Sequence, residues 1–95
     1  MQAMIRRDVG AAAVTETLVR AGRALTVQMS QVPGFVSHAA FTTEDGALIS
    51  ISICEDAAAL EAIGGLLAGW LSVNMPHARQ QPEIVAGELI MQGGL

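Results

Sequence analysis

The hydrophobic positions of the chain fall into segments with either strand-like or helix-like spacing. Residues 3–9 (AMIRRDV) are short and mixed, with modest strand character, and Gly10 ends them. Residues 11–31 have apolar side chains at spacings of three and four, which indicate one face of a helix. These positions are Val14, Leu18, Ala21, Leu25 and Met29. Residues 32–34 (VPG) end this helix, because the residue before a proline avoids the helical conformation.

Two strand-like runs follow, residues 35–41 (FVSHAAF) and 47–54 (ALISISIC), and the turn between them sets their register. A two-residue turn on Asp45-Gly46 would pair Glu44 with Ala47 and place His38 on the face of the isoleucines. A three-residue loop, residues 44–46, pairs Thr43 with Ala47 and puts Gly46 in the left-handed position common to such loops. The second register separates polar from apolar side chains, and a one-residue slip would exchange the faces, so the pattern favours it.

The favoured register predicts two unlike faces for this hairpin. One carries Phe35, Phe41, Ile49, Ile51 and Ile53, and the other carries His38, Ala40, Thr42, Ser50 and Ser52. We expect the isoleucine face to meet the helices. The His38 face, which also includes Val36 and Leu48, should then lie open as a half-apolar binding surface. His38 is accordingly predicted to lie inside a dimer.

A second helix and a last strand complete the pattern. Asp56 has the side chain of an N-cap, and Pro76 closes the helix. Helical spacing joins Leu60, Ile63, Leu67, Trp70, Leu71 and Asn74. The pair Gly64-Gly65 costs about 1 kcal/mol per glycine relative to alanine, which indicates a kink or a close approach by another backbone. Residues 83–91 (EIVAGELIM) are predicted to form the final strand.

The order β-α-β-β-α-β predicts an α+β, ferredoxin-like sandwich within a single domain, residues 1–95. The economical arrangement is an antiparallel sheet with both helices on one face.

Composition adds the expectation of a partner. The chain is 52% apolar and 15% charged, and a 95-residue domain buries a small share of its surface, so an obligate oligomer accounts for the excess. A membrane span is not expected, because residues 57–73 contain Glu61 and three glycines and fall short of the roughly 20 residues needed. The N-terminus also has no signal-peptide h-region.

The charge of the chain and its cysteine content indicate which kinds of partner and which cellular compartment to expect. A net charge of −4, with five arginines and no lysine, argues against nucleic acid. The lone Cys54 excludes an internal disulfide and fits a reducing cytoplasm, most simply as a small buried hydrophobic side chain.

Five segments of the chain together resemble a known family. They are MIRRDVG, QVPGFVSH, DGALISISICED, AGWLSVNM and PEIVAGELI. In order and spacing they are similar to small uncharacterised bacterial proteins of the dimeric α+β barrel superfamily, in particular to antibiotic-biosynthesis-monooxygenase-like (ABM-like) domains. The resemblance implies a ferredoxin-like monomer whose sheet pairs with a second copy to close a barrel. Members of the superfamily include cofactor-free monooxygenases, haem-degrading oxygenases and proteins of no known activity, so fold does not fix function.

The resemblance also implies candidate site residues. Cofactor-free members use tryptophan, asparagine, arginine and tyrosine around their pocket; Trp70, Asn74 and Arg6 or Arg7 are available, but the chain has no tyrosine. Haem-degrading members have a tryptophan on the second helix with a histidine after it, to which Trp70 and His77 would correspond. Their first-strand asparagine has no counterpart in residues 3–9. Neither template is complete.

Each candidate also has a simpler structural interpretation. His38 could act as a general base, since its ordinary pKa is near 6.5, or it could be a strand histidine bonded to Ser50, Ser52 or a partner chain. Trp70 could line a pocket or anchor the core. Either Arg6 or Arg7 should form a salt bridge with Asp8 or Glu88, or hold an acidic ligand. No spacing of ligands indicates a metal site.

Two functions remain open at this point. The chain could be a cytoplasmic homodimer, joined through its sheet face, that holds a small hydrophobic ligand between sheet and helices without a cofactor. Alternatively it could be a cofactor-independent monooxygenase-like enzyme for an aromatic or polyketide-type substrate, with Trp70, Asn74 and His38 as its catalytic residues. A haem-degrading oxygenase is the third possible function.

Overall fold

The computed structural model describes residues 1–10, 15–74 and 82–93 and confirms the predicted order of elements. These are β1 (Gln2–Asp8), α1 (Thr15–Ser30), β2 (Phe35–Thr42), β3 (Leu48–Cys54), α2 (Ala57–Asn74) and β4 (Glu83–Glu88). Predictions that rest on Val14, Pro76 and His77 lie outside the described residues.

The strands of the described ranges form one antiparallel sheet in the order β2-β3-β1-β4. Helices α1 and α2 pack against each other and against the same face of the sheet. This is the α+β, ferredoxin-like sandwich that the order of elements predicts.

The connection between β2 and β3 is the three-residue loop, and it sets the predicted register. The backbone N–H of Thr43 donates to the carbonyl of Ala47 at 2.9 Å, and Gly46 has a φ of 86°. His38 consequently lies opposite Ser52, and Phe41 lies opposite Ile49. The left-handed Gly46 in the loop and the alternation of polar and apolar side chains thus correctly predicted the register of β2 with β3.

The prediction that the isoleucines meet the helices is wrong. Helices cover the other face of β3, where Leu48, Ser50, Ser52 and Cys54 are all buried. Ile49, Ile51 and Ile53 are half-buried on the open face. The small side chains of Ser50, Ser52 and Cys54 allow the helices to approach closely, and large residues from the helices, such as Met29 and Ile63, fill the space between.

The predicted face of Phe35 is also wrong, because β2 is irregular at its start. Phe35 lies opposite Cys54 and Ser37 lies opposite Ile53, so Val36 is an extra residue in β2. Such a bulge shifts the alternation by one position. Phe35 therefore packs against the core under the helices.

The core lies between the sheet and the helices. Its buried members are Met4, Leu25, Met29, Cys54, Ala59, Leu60, Ile63 and Leu67. Cys54 is fully buried, and this desolvation raises the pKa of its thiol, so it is the small core residue expected from the sequence.

Helix α2 begins and packs as its sequence indicates. The backbone N–H of Ala59 donates to Oδ1 of Asp56 at 2.8 Å, which confirms Asp56 as the N-cap. A Cβ added to Gly64 would lie 3.6 Å from Cε of Met4, so the close neighbour at this glycine is a side chain from β1 and not a backbone. By length and hydropathy alone α2 could cross a membrane, but its stripe Ala59, Leu60, Ile63, Leu67 and Leu71 is buried in this fold.

Candidate functional site

A groove of 690 Å³ lies between α2 and the β1–β4 side of the sheet. Its apolar lining comes mainly from Met4, Leu60, Gly64, Gly65, Ala68, Ile84 and Ala86. Gly65 opens the groove on the helix side, since a Cβ added there would meet no atom within 4 Å. The volume is within the range of small-molecule sites, and such sites are mostly apolar with few polar groups.

Arg6 is the cationic side chain of this groove. It is 8% exposed and lies opposite Ser50 on one side and Ile84 on the other. Its Nε donates to Oδ2 of Asp8 at 2.9 Å, and its Nη2 donates to Oδ1 at 3.3 Å. This two-point ion pair confirms the predicted salt bridge of Arg6 and fixes the plane of the guanidinium.

A second cavity of 290 Å³ lies under α1, at the β2 edge of the sheet. Its lining residues are Leu18, Val19, Gly22, Leu25, Thr26, Met29, His38 and Ala40. His38 is therefore directed towards α1, and the prediction that it lies on the open face is wrong. The reason is the reversal of faces described above: the side that pairs His38 with Ser52 is the side that the helices cover.

His38 has one polar partner in the described structure, the hydroxyl of Ser52. The distance between Nδ1 of His38 and Oγ of Ser52 is 3.0 Å, and Ser52 is fully buried. Burial lowers the pKa of His38, because desolvation disfavours the imidazolium form. The imidazole is thus held neutral beside the cavity, where it can exchange a proton or form a hydrogen bond.

Trp70 and Asn74 lie together on α2, apart from this cavity. Trp70 is half-buried and packs against Leu48, Leu71 and the main core, as a core anchor does. Nδ2 of Asn74 donates to the carbonyl of Trp70 at 2.8 Å, which satisfies one of the last carbonyls of the helix. The structure therefore joins Trp70 to Asn74, while neither lines the cavity of His38.

The open face of the sheet is apolar and carries a second arginine. Exposed side chains include Ile5, Phe41 and Val85, beside the half-buried isoleucines of β3. Nη2 of Arg7 lies 2.8 Å from Oδ2 of Asp45, and Nη1 lies 3.7 Å from Oε1 of Glu83. Hydrogen bonding to Thr43 and the nearby Arg7 charge lower the pKa of Asp45. Across residues 1–10, 15–74 and 82–93, no three His, Cys, Asp or Glu side chains are grouped as metal ligands.

The sequence indicated Arg6 and a ligand held between sheet and helices, but not which residues line this groove. The signal that could have located it is Gly64-Gly65, since small residues on a helix leave room for a neighbour. Ile84 and Ala86 could not have been added from the sequence, because their place depends on β4 pairing beside β1.

Solved structures of other proteins share this architecture. The chain is similar to a protein of unknown function from Nitrosomonas europaea, with a TM-score of 0.74 and 16% identity over 99% of this chain and 93% of that one. It is similar to an antibiotic biosynthesis monooxygenase, with a TM-score of 0.66 and 19% identity over 96% of this chain and 100% of that one. A mutant of SnoaB, a cofactor-independent oxygenase from Streptomyces nogalater, gives a TM-score of 0.64 and 19% identity over 96% and 94% of the two chains.

The chain has the ABM-like α+β fold. No protein-family profile matches the sequence, and no curated protein matches it significantly. Identities below 20% carry the fold and leave the activity open, because unrelated functions share one fold. The ABM-like neighbours themselves include both a protein of unknown function and an oxygenase.

Proposed function

We propose that this ABM-like chain binds a small hydrophobic ligand in the groove between α2 and the β1–β4 side of the sheet. The observation that supports this is the groove itself: 690 Å³, lined mainly by apolar side chains, with one buried cation. A mostly apolar groove with few polar side chains, here Gln2, Arg6 and Glu61, favours a ligand that is mostly hydrocarbon and is oriented by a polar group.

The ligand-binding form is a cytoplasmic homodimer, joined through the open faces of two sheets. The apolar area around Ile5, Phe41 and Val85 supports this proposal, since proteins that remain monomeric rarely expose large apolar patches. The buried Cys54 is compatible with a reducing compartment.

Ligand binding is tested with prodan, a neutral naphthalene ketone whose fluorescence shifts to the blue in apolar surroundings. Gly65→Leu should fill the groove, because the space beside Gly65 is open. Gly69→Leu is the matched control: it makes the same change on the same helix, at a glycine that does not line the groove. Both changes replace a poor helix former by a good one, so neither should weaken the helix.

We expect prodan to bind the unchanged protein and Gly69→Leu equally, and Gly65→Leu at least tenfold more weakly. Equal binding to all three proteins would show that the probe sits elsewhere. No binding to the unchanged protein would overturn the proposal.

A second candidate function is a cofactor-independent oxygenase for an aromatic or polyketide-type substrate. It is favoured by the likeness in fold to SnoaB and by the neutral imidazole of His38 beside a cavity. His38 would take a proton from a substrate CH₂ group, and O₂ would give one atom to the new carbonyl and the other to water. Trp70 and Asn74 lie apart from this cavity, so this step gives them no contact with the substrate.

Oxygen uptake with the anthrone dithranol tests this second function. A general base contributes about 100-fold or more, so His38→Gln should lower the rate by at least that factor while Val73→Thr, on the exposed side of α2, should not change it. Uptake that equals the protein-free rate would exclude the enzyme and leave the binding proposal intact.

A further inference from the structure

We propose that Asp8 sets the charge selectivity of the groove by neutralising Arg6. The preferred ligand is then an apolar molecule with a neutral hydrogen-bond acceptor, such as a carbonyl oxygen, and not an anion. This inference rests on the proposed function and names the chemical class of its ligand.

The ion pair with Asp8 uses only part of the Arg6 guanidinium. A guanidinium carries five N–H donors. Asp8 accepts one hydrogen bond from Nε and one from Nη2, so three of the five N–H donors of Arg6 are not used by Asp8, and Arg6 is part of the groove lining. The side chains of Arg6 and Asp8 are 9% and 12% exposed, so this pair is largely shielded from water and from screening ions.

An incoming ligand meets the charges of Arg6, Asp8 and Glu61. Arg6 and Asp8 together carry no net charge, and Glu61 on α2 adds a carboxylate to the groove lining. The attraction of an anion to Arg6 is offset by its repulsion from Asp8 and Glu61. Burying a charge without a dedicated partner is costly, whereas a neutral acceptor needs only one donor.

The two arginines of β1 differ in their exposure to water. Arg7 lies on the opposite face of the sheet, 31% exposed, and pairs with the exposed Asp45. Water and salt screen the Arg7–Asp45 pair, so this pair does not affect the charge that a ligand meets in the groove. Asp45 is therefore a matched control for Asp8: each carboxylate accepts a hydrogen bond from an arginine of β1.

Two probes of nearly the same shape measure the selectivity. Prodan supplies a neutral ketone, and the corresponding dimethylaminonaphthoate supplies a carboxylate at the same end of the ring system. The quantity compared is the ratio of their dissociation constants, measured by fluorescence titration at low salt. The ratio cancels effects of a substitution on the apolar part of the groove.

We expect the unchanged protein to bind the ketone at least tenfold more tightly than the carboxylate. Asp8→Asn keeps a side chain of the same shape and exposes the full charge of Arg6, so it should shift this ratio at least tenfold towards the carboxylate. Asp45→Asn, with the same change in net charge, should leave the ratio as it was.

Glu61→Gln provides an independent test, because Glu61 is exposed and its loss should not impair folding. Removing this second carboxylate should shift the ratio in the same direction by a smaller factor, about twofold to threefold for a solvent-screened charge.

The outcomes separate this inference from the proposed function. If Gly65→Leu blocks prodan binding but Asp8→Asn and Glu61→Gln leave the ratio unchanged, only the inference is overturned. Equal shifts in Asp8→Asn and Asp45→Asn would mean that net charge, and not the Arg6–Asp8 pair, sets the ratio, which also overturns it. If prodan does not bind in the groove, both proposals fail.

Discussion

Nδ1 of His38 lies 3.0 Å from Oγ of Ser52 on the helix-covered side of the sheet. This pair places a titratable group where desolvation lowers its pKa. In the unfolded chain the same histidine returns to its ordinary value near 6.5, so the unfolded state takes up a proton first as the pH falls. The folded protein should therefore lose stability as the pH falls below about 6.5, until the pKa of the folded state is reached.

The His38 prediction is tested by urea unfolding at about pH 7.5 and about pH 5.5. The free energy of unfolding should fall between the two pH values, and it should fall less in His38→Gln, since glutamine does not titrate. Other titrating groups are common to both proteins and cancel in the comparison. If the fall is the same in both proteins, His38 does not have the lowered pKa.

A charge at the centre of the open sheet face should prevent dimerisation. Ile51 lies between Ile5 and Ala39 on neighbouring strands, in the middle of this face. In Ile51→Lys the dimer would have to bury an unpaired ammonium group, which is strongly unfavourable. Sedimentation equilibrium should give twice the chain mass of 9.9 kDa for the unchanged protein and the single mass for Ile51→Lys.

Val73→Lys is the control for this change, because Val73 is 77% exposed on α2, away from the open face. It should sediment as the unchanged protein does. A mass of 9.9 kDa for the unchanged protein at micromolar concentration would contradict the homodimer.

Two glycines with positive φ should tolerate alanine unequally. Gly34 has a φ of 91°, and a Cβ added to it would lie 3.1 Å from Cβ of Ala59. Gly46 has a φ of 86° but open space around it. Backbone strain should cost each alanine variant about 1–2 kcal/mol, and the contact with Ala59 should cost Gly34→Ala about 1 kcal/mol more.

Urea unfolding of both glycine variants measures this difference directly. Equal losses of stability would show that α2 shifts away from Gly34 without cost. A larger loss in Gly46→Ala would contradict the packing at Gly34.

Removal of the α2 N-cap should destabilise the protein by about 1 kcal/mol, because the N–H of Ala59 loses its acceptor. The variant is Asp56→Ala, and the measurement is the free energy of unfolding in urea. Asp56→Asn retains a capping oxygen and should lose much less stability. Equal losses in the two variants would mean that the charge of Asp56, and not its hydrogen bond, stabilises the helix.

Local features explain which parts of the fold could be predicted. Asp56 and Gly46 act within their own turns, so a short stretch of sequence contains all that determines them. The salt bridge of Arg6 was predictable for the same reason, since Asp8 is two residues along the same strand face. A ligand between sheet and helices was expected, but the residues that line the groove were not predictable, because they depend on how α2 and β4 lie relative to each other.

The sequence by itself determined the order of elements, the register of β2 with β3 after the bulge at Val36, and the sorting of their side chains into two sets, except for Phe35. Only the tertiary structure decided which set the helices cover. Alternation along a strand separates Ser50 and Ser52 from Ile49 and Ile51, but it does not identify which of these two faces the helices cover. That choice depends on the volume of the helix side chains that must fit above the sheet, and small residues on β3 accommodate Met29 and Ile63. The apolar isoleucine face is left open, and His38 lies under α1.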